Sequence, residues 1–266
     1  MKVLNILGKE EKTVTLPKQF NEDLRIDLIQ KTVRVYNQNK RQPYGSDPFA
    51  GMKTSAKISR RRRDYKGSYG IGISRVPRKI MSHRGTRFNW LAAFAPGTVK
   101  GRKAHPPKAY KDWSLSMNVK ERKKAIRSAL GATLNKELVE LRGHKVPPSY
   151  PFIVVNALEA LSKTQEVIAT LESLGLHNEL IRCSVKKVRA GKGTMRGNRY
   201  KKTKGPLIVV DKECPLMDAA HNIPGIEVVP VQFVNVNLLA PGAHAGRLTL
   251  FTEKAIARIE SEGLFL

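Results

Sequence analysis

Apolar residues follow the helical spacing of three or four positions most clearly after residue 118. The residues of this stripe are Ile126, Leu130, Leu134, Leu138 and Leu141. Asn118 and Glu121 stand just before it, three positions apart, which is the spacing of a helix-capping box. The pattern predicts a helix from Asn118 to about Leu141 with its apolar face against a core.

Shorter helices are predicted in four other periodic segments. Asn21 is placed to cap the first, Ser162 with Gln165 opens another that ends at Gly175, and Thr252 caps the last. The predicted helices cover approximately residues 22–39, 162–174, 216–221 and 252–262.

Short runs of β-branched and other apolar residues alternate with these helices and predict strands. The predicted strands are Lys2–Leu7, Thr13–Leu16, Phe152–Asn156, Leu207–Asp211, Ile226–Val229 and Arg247–Phe251. Strands alternating with helices are typical of an α/β fold, in which a mostly parallel sheet is flanked by helices on its faces.

The segment from Tyr44 to Trp113 does not fit this alternation, since it is rich in Gly, Pro, Arg and Lys and its apolar residues are scattered. A loop of this length inside a domain is typically functional or disordered. We therefore predict a single discontinuous α/β body, residues 1–43 and 114–266. Residues 44–113 form a long, extended, basic internal loop, here called the arm, and each half of it spans on the order of 100 Å when fully extended.

The charge of the chain indicates a protein that binds an anionic partner, which the α/β pattern alone does not show. The chain has 49 Lys and Arg against 22 Asp and Glu, a formal net charge of +27. Nineteen of the basic residues lie between Lys40 and Asp112 with only three acids, and ten lie between Arg182 and Lys204 with none. Nucleic acid is favoured as the partner over an anionic membrane surface or an acidic protein.

The arm supplies most of the candidate contacts. Guanidinium groups pair with phosphates, and aromatic rings such as Tyr65, Tyr69, His83, Phe88 and Trp90 stack on unpaired bases. The candidate RNA-binding residues in the arm are Arg60, Arg61, Arg62, Arg63, Arg75, Arg78, Lys79, Arg84, Arg87, Lys100, Arg102 and Lys103. The alternative is a disordered, nonspecific basic segment such as a localisation signal.

A second basic segment combines cations with glycines, which let a backbone approach phosphates closely. Its candidate RNA-binding residues are Lys186, Lys187, Arg189, Lys192, Arg196 and Arg199. Gly191, Gly193 and Gly197 resemble a dinucleotide fingerprint superficially, but they follow no predicted strand and have a different third spacing. We predict no cofactor.

No catalytic or metal-ligating constellation is evident, so we predict that the chain is not an enzyme. Cys183 and Cys214 have no companions at metal-ligand spacing. The apolar run Val3–Leu7 is too short for a secretion signal, and no apolar stretch has the length of a membrane helix. The expectation is a cytoplasmic protein without a membrane partner.

Several motifs, taken in order along the chain, resemble those of the family of the fourth large-subunit ribosomal protein (L-four) in its archaeal and eukaryotic form. They cover essentially the whole chain. The motifs are Thr54-Ser55-Ala56, Ser74-Arg75-Val76-Pro77-Arg78, Phe94-Ala95-Pro96, Gly101–Pro107, Lys120-Glu121-Arg122, Lys163-Thr164-Gln165-Glu166 and Arg189–Arg199.

The resemblance implies a three-layer α/β body bound to large-subunit ribosomal RNA, located in the cytoplasm within the large ribosomal subunit. It also implies neighbouring large-subunit proteins as partners and an arm that passes inward through RNA. The arm's tip, between Lys79 and Ala93, would line the nascent-peptide exit tunnel. The residues expected to face the nascent peptide are His83, Arg84, Gly85 and Thr86.

From the residues alone, two rivals stay open beside this interpretation. An architectural DNA-binding protein is compatible with the charge but lacks a recognition helix. A nucleotide-using α/β enzyme would place acids such as Asp211, Glu213 and Asp218 near a strand end, yet no spacing singles them out as acid and base.

Overall fold

The computed structural model describes residues 1–266, which form two units: the body unit, Met1–Lys40 with Ser114–Leu266, and the arm unit, Arg41–Trp113. The strands are β1 (Lys2–Leu4), β2 (Glu10–Thr13), β3 (Arg78–Arg84), β4 (Arg87–Ala92), β5 (Phe152–Val154), β6 (Lys187–Val188), β7 (Tyr200–Lys201), β8 (Leu207–Val210), β9 (Glu227–Pro230) and β10 (Thr249–Thr252). The helices are α1 (Ile26–Asn39), α2 (Val119–Leu134), α3 (Lys136–Leu141), α4 (Thr164–Ser173), α5 (His177–Ser184), α6 (Pro215–His221), α7 (Val236–Leu239) and α8 (Glu253–Ser261). None of the helices combines the length and the apolar character needed to cross a membrane.

The body unit is built on a six-stranded sheet in the order β2-β1-β5-β10-β8-β9. All neighbours pair in parallel except β1 and β2. The register places Val3 opposite Ile153, and Phe251 opposite both Ile153 and Val209. Because parallel strands are covered on both faces, a central strand such as Leu207–Val210 is apolar and buried throughout.

Helices cover both faces of this sheet and give the body three layers. One face carries α1, α2, α7 and α8, whose buried residues form a core with Val3, Ile153 and Phe251. The other carries α3, α4, α5 and α6, packed with Leu4 and Phe152. Successive strand residues point to opposite faces, so each strand contributes to both cores. The predicted α/β architecture is confirmed.

Three predicted helix boundaries are wrong: those at Asn135, at the start of α1 and at the start of α4. The predicted helix through Leu141 is broken at Asn135, whose side chain accepts hydrogen bonds from the Glu137 and Leu138 amides and caps α3. Asn21 caps no α-helix, since α1 begins at Ile26 after a segment whose Arg25 amide donates to Ser128 Oγ on α2 at 2.7 Å.

The start of α4 and the second strand also differ from prediction. The helix begins at Thr164, not at Ser162, and Lys163 is its N-cap residue. The second strand is Glu10–Thr13, not Thr13–Leu16, and it pairs with β1 as an antiparallel edge. α5 was not predicted at all. By contrast, Thr252 caps α8 as expected, since its hydroxyl accepts from the Ala255 amide.

Gly131 allows α2 to approach the preceding segment closely. A Cβ at this position would lie 2.9 Å from the Glu22 carbonyl oxygen and 3.0 Å from that of Phe20. Gly131→Ala is therefore expected to destabilise the body by about 1–3 kcal/mol, although Ala is the better helix former by about 1 kcal/mol. Urea unfolding measures the change, with the exposed Lys120→Ala on the same helix as the control. A gain in stability for Gly131→Ala would contradict the close approach.

Candidate nucleic-acid interface

An antiparallel hairpin lies at the centre of the arm unit, where the sequence pattern predicted no regular structure. β3 and β4 pair from Arg78 opposite Ala92 to Arg84 opposite Arg87. Gly85 has a φ of 56° at the first of the two loop residues, as tight hairpin turns require. The residues expected to face the nascent peptide, His83, Arg84, Gly85 and Thr86, are therefore at the end of this hairpin, and all four are exposed. Lys79, earlier on β3, is half-buried.

One face of the hairpin carries a cluster of aromatic rings. Phe88 stacks on Trp90 at 5.1 Å with an interplanar angle of 26° and meets Tyr65 edge-on at 5.1 Å. The His83 ring lies 6.0 Å from Phe88. Beside the cluster is an open cavity of about 710 Å³. Its basic lining residues are Arg61, Arg63, Lys66 and Arg87.

The four consecutive arginines, Arg60–Arg63, are all exposed. The neighbouring acid, Asp64, accepts hydrogen bonds from Ser59 Oγ and, at 2.8 Å, from the Tyr65 amide, and these bonds lower its pKa. Asp64 thus stays ionised and helps to shape the turn. With three acids for nineteen cations across Lys40–Asp112, most of the arm's positive charge has no acid within this segment to balance it.

Other predicted arm residues divide into exposed cations and cations held by the loop itself. Arg78 donates through Nη2 to Ser74 Oγ at 2.7 Å and to the Ser74 carbonyl at 3.3 Å, while its backbone bonds to Lys57. Arg75 lies over the Tyr69 ring at 4.4 Å, and Arg102 lies 5.9 Å from the Phe94 ring. The remaining exposed cations are Arg84, Arg87, Lys100 and Lys103.

The second basic segment forms a small hairpin on the body unit, with Lys187 opposite Lys201 and Val188 opposite Tyr200. Gly191 and Gly197 have positive φ values of 86° and 78°, which the turns between the strands require. Arg189 donates to the Asn198 carbonyl and side-chain oxygens at 3.1 and 3.3 Å and so fixes the loop from inside. The other predicted cations are exposed: Lys186, Lys187, Lys192, Arg196 and Arg199.

A buried ionic network, here called the Glu179 network, holds the base of this hairpin. The fully buried Glu179 carboxylate accepts from Arg182 at 2.6 and 2.8 Å, from the Lys145 amide at 2.9 Å, and lies 2.6 Å from His144 Nδ1. Arg182 also donates to the Lys204 carbonyl at 2.8 Å. Burial favours the neutral carboxyl, but these hydrogen bonds outweigh it and hold the pKa of Glu179 at about 2. The pKa of His144 is lowered, chiefly by burial, so His144 is neutral near pH 7.

Sequence reasoning missed two kinds of residue at this surface. Lys201 and Lys202 are exposed in the second hairpin and were not singled out, although the charge count over Arg182–Lys204 included them. Glu179 and His144 were missed because their role depends on contacts with Arg182, and no local motif marks them.

Comparison with known proteins identifies the family. The model of the ribosomal protein L4/L1 family matches residues 14–262, nearly the whole chain. The chain belongs to this family. The L4/L1 family consists of structural ribosomal proteins without enzymatic activity, which agrees with the expectation that the chain is not an enzyme.

The L4/L1 membership is supported by archaeal relatives named "Large ribosomal subunit protein uL4". The relative from Nanoarchaeum equitans is 47% identical over 262 residues, covering 98% of this chain and 97% of the relative. The relative from Methanopyrus kandleri is 43% identical, with 97% and 96% covered. The relative from Methanococcoides burtonii is 42% identical, with 99% and 98% covered. The resemblance to the archaeal form of the family is confirmed.

Proposed function

We propose that this chain is a structural constituent of the large ribosomal subunit that binds large-subunit ribosomal RNA and supports its assembly. The observation that carries the proposal is the exposed positive charge of Arg41–Trp113, which the three acids of this region cannot balance. A chain with this excess of charge repels itself until an anionic polymer neutralises it. The L4/L1 family membership makes ribosomal RNA the expected polymer. The proposed place of action is the cytoplasm, within the large subunit.

We assign different roles to the predicted RNA-binding residues according to their surroundings. Exposed cations such as Arg60–Arg63, Lys192 and Arg196 are free to pair with phosphates. Arg78 donates hydrogen bonds to Ser74, and Arg189 donates to Asn198. These two arginines therefore shape the loops that present the exposed cations. Neighbouring large-subunit proteins are the expected contacts of surfaces that RNA leaves uncovered.

The hairpin end is the part of the arm that we propose to line the nascent-peptide exit tunnel. The cross-strand pair Arg84–Arg87 closes the loop, and the ring cluster of Phe88, Trp90 and Tyr65 stiffens the strands behind it. His83, Arg84, Gly85 and Thr86 are all exposed at this end, and the small side chains of Gly85 and Thr86 at the turn suit a wall past which varied peptides move.

Salt dependence tests the RNA proposal at the four consecutive arginines. Replacing Arg60–Arg63 with Gln is expected to weaken binding to large-subunit RNA and to reduce the slope of log affinity against log salt by about three, at roughly 0.7–0.9 per lost phosphate contact. The matched control replaces four exposed lysines outside the basic segments with Gln: Lys9, Lys163, Lys212 and Lys254.

Both variants lose the same charge, so only location distinguishes them. An equal loss of slope in the two variants would show that net charge, and not the arm, determines binding. Tighter binding to duplex DNA than to RNA at the same salt concentration would contradict the RNA assignment and favour an architectural DNA-binding protein.

A further inference from the structure

A pocket of about 420 Å³ lies within the arm unit, where its first and last residues meet. Its walls are aromatic and proline side chains, with lysines at the rim, and neither predicted RNA-binding set includes them. The residues that line it are Tyr44, Pro106, Pro107, Lys108, Tyr110, Lys111 and Trp113.

The pocket walls are held together by contacts between the two ends of the arm unit. Tyr44 stacks on Trp113, with ring centres 5.9 Å apart and an angle of 18°. The Ser46 amide donates to the Pro107 carbonyl at 3.1 Å. The Arg41 guanidinium lies 3.9 Å from the centre of the Trp113 ring. One aromatic wall is therefore formed before any ligand arrives.

The exposed aromatic ring of Tyr110 is the feature of the pocket that points to a ligand. Tyr110 is 79% exposed, an unusual state for a large aromatic side chain beside an apolar cavity. A planar ligand that stacks on the Tyr110 ring would cover this exposed apolar surface.

The lysines at the rim of the pocket favour a ligand that carries negative charge. Lys108 Nζ lies 5.3 Å from the Tyr110 ring centre and Lys111 Nζ lies 4.3 Å from that of Trp113. No acidic side chain lines the pocket. Aromatic walls with basic rims are the common way in which proteins bind unpaired nucleotides, the base stacking on the rings and the phosphate pairing with the cations.

We propose that this pocket, here called the base pocket, takes one unpaired nucleobase extruded from a bulge or loop of the RNA. The proposal rests on the RNA binding proposed above and adds a specific contact to it. Tyr110 stacks on the base, and Lys108 and Lys111 neutralise the flanking phosphates.

The test uses the full-length chain and three RNA hairpins of equal charge. One is fully paired, one carries a single bulged 2-aminopurine nucleotide, and one carries an abasic bulge. At fixed salt, the 2-aminopurine bulge is expected to bind at least about fivefold more tightly than the other two, as base stacking on a tyrosine predicts. Its fluorescence should change on binding, because stacking on the rings alters the environment of the base.

Three variants test whether the preference for the bulged base depends on the Tyr110 ring. Tyr110→Ala is expected to abolish the preference, and Tyr110→Phe to retain it, since Phe keeps the stacking face. Tyr200→Ala, which removes a partly exposed tyrosine from the second basic hairpin, is the matched control and should keep the preference. Tyr110 is exposed, so its replacement leaves the fold of the arm unit intact.

The remaining outcomes distinguish failure of the base pocket from failure of RNA binding as a whole. Equal affinity for all three RNAs, or a preference that survives Tyr110→Ala, overturns the base pocket and leaves the RNA-binding proposal standing. Failure of the wild-type chain to bind any of the RNAs at physiological salt overturns the proposed function itself.

Discussion

Removing Gly45–Lys111 and joining Tyr44 to Asp112 through two glycines is expected to lower the affinity for large-subunit RNA at physiological salt by at least about a thousandfold. The deletion removes seventeen of the chain's 49 Lys and Arg residues. If only about six of them contact phosphates, the salt-dependent affinity changes by several orders of magnitude. The short linker is long enough, because Tyr44 stacks on Trp113 with ring centres 5.9 Å apart.

The same deletion is expected to leave the body folded. Both hydrophobic cores, including the sheet residues that they pack against, consist of residues within Met1–Lys40 and Ser114–Leu266. Filter binding across a salt series measures the RNA affinity, and urea unfolding followed by circular dichroism measures the body. Unchanged affinity would contradict the role of the arm, and loss of cooperative unfolding would contradict the independence of the body.

Glu179→Gln is expected to destabilise the body by about 2–4 kcal/mol at pH 7. The substitution removes the charge that balances Arg182 and turns a hydrogen-bond acceptor into an amide donor facing the guanidinium. It also loosens the anchor of the second basic hairpin, because Arg182 holds the Lys204 carbonyl. Urea unfolding measures the loss of stability.

Glu172→Gln is the matched control for this substitution. Glu172 also lies beside a histidine, with its carboxylate 3.1 Å from His177 Nδ1, but both side chains are exposed. Exposed pairs contribute about 0–1 kcal/mol, so the control should be nearly as stable as wild type. Equal effects of the two substitutions would show that burial of the Glu179 network carries no special stability.

The effect of Glu179→Gln should depend on pH with a definite sign. Glu179 has a folded pKa of about 2 against its usual 4.5, so its ionised form stabilises the folded state above about pH 4.5. That contribution is lost as the pH falls from 4.5 towards 2. The difference in unfolding free energy between wild type and Glu179→Gln should therefore shrink over this range. A difference that stays constant with pH would contradict an ionised Glu179.

Local sequence patterns predicted the elements whose signals lie within a few residues. The buried strand at Leu207–Val210 and the cap at Thr252 are examples, since β-branched runs and capping hydroxyls act over short distances. The prediction failed at Asn135, whose side chain caps α3 and so interrupts the periodic stripe, and at the start of α1, where the distant Ser128 side chain binds the Arg25 amide.

The sequence predicted which residues of the candidate interface carry positive charge, but not how the structure arranges them. The charge of Arg60–Arg63 is visible in the sequence, but its exposure is visible only in the structure. The hairpin of β3 and β4 was missed because its stabilising ring contacts join Tyr65 to Phe88, 23 positions away. The base pocket was missed for the same reason, since Tyr44 and Trp113 are at opposite ends of the arm.

By itself, the sequence determined the family, the α/β class and the location of the positive charge. These follow from ordered motifs, from the local spacing of apolar residues and from sums of charge. All three can be determined along the sequence without knowing which distant residues come into contact. Only the tertiary structure decided the order of the six strands, the buried Glu179 network and the closure of the arm unit by Tyr44 and Trp113. Each of these depends on which distant residues come into contact, and packing of the whole chain selects those contacts.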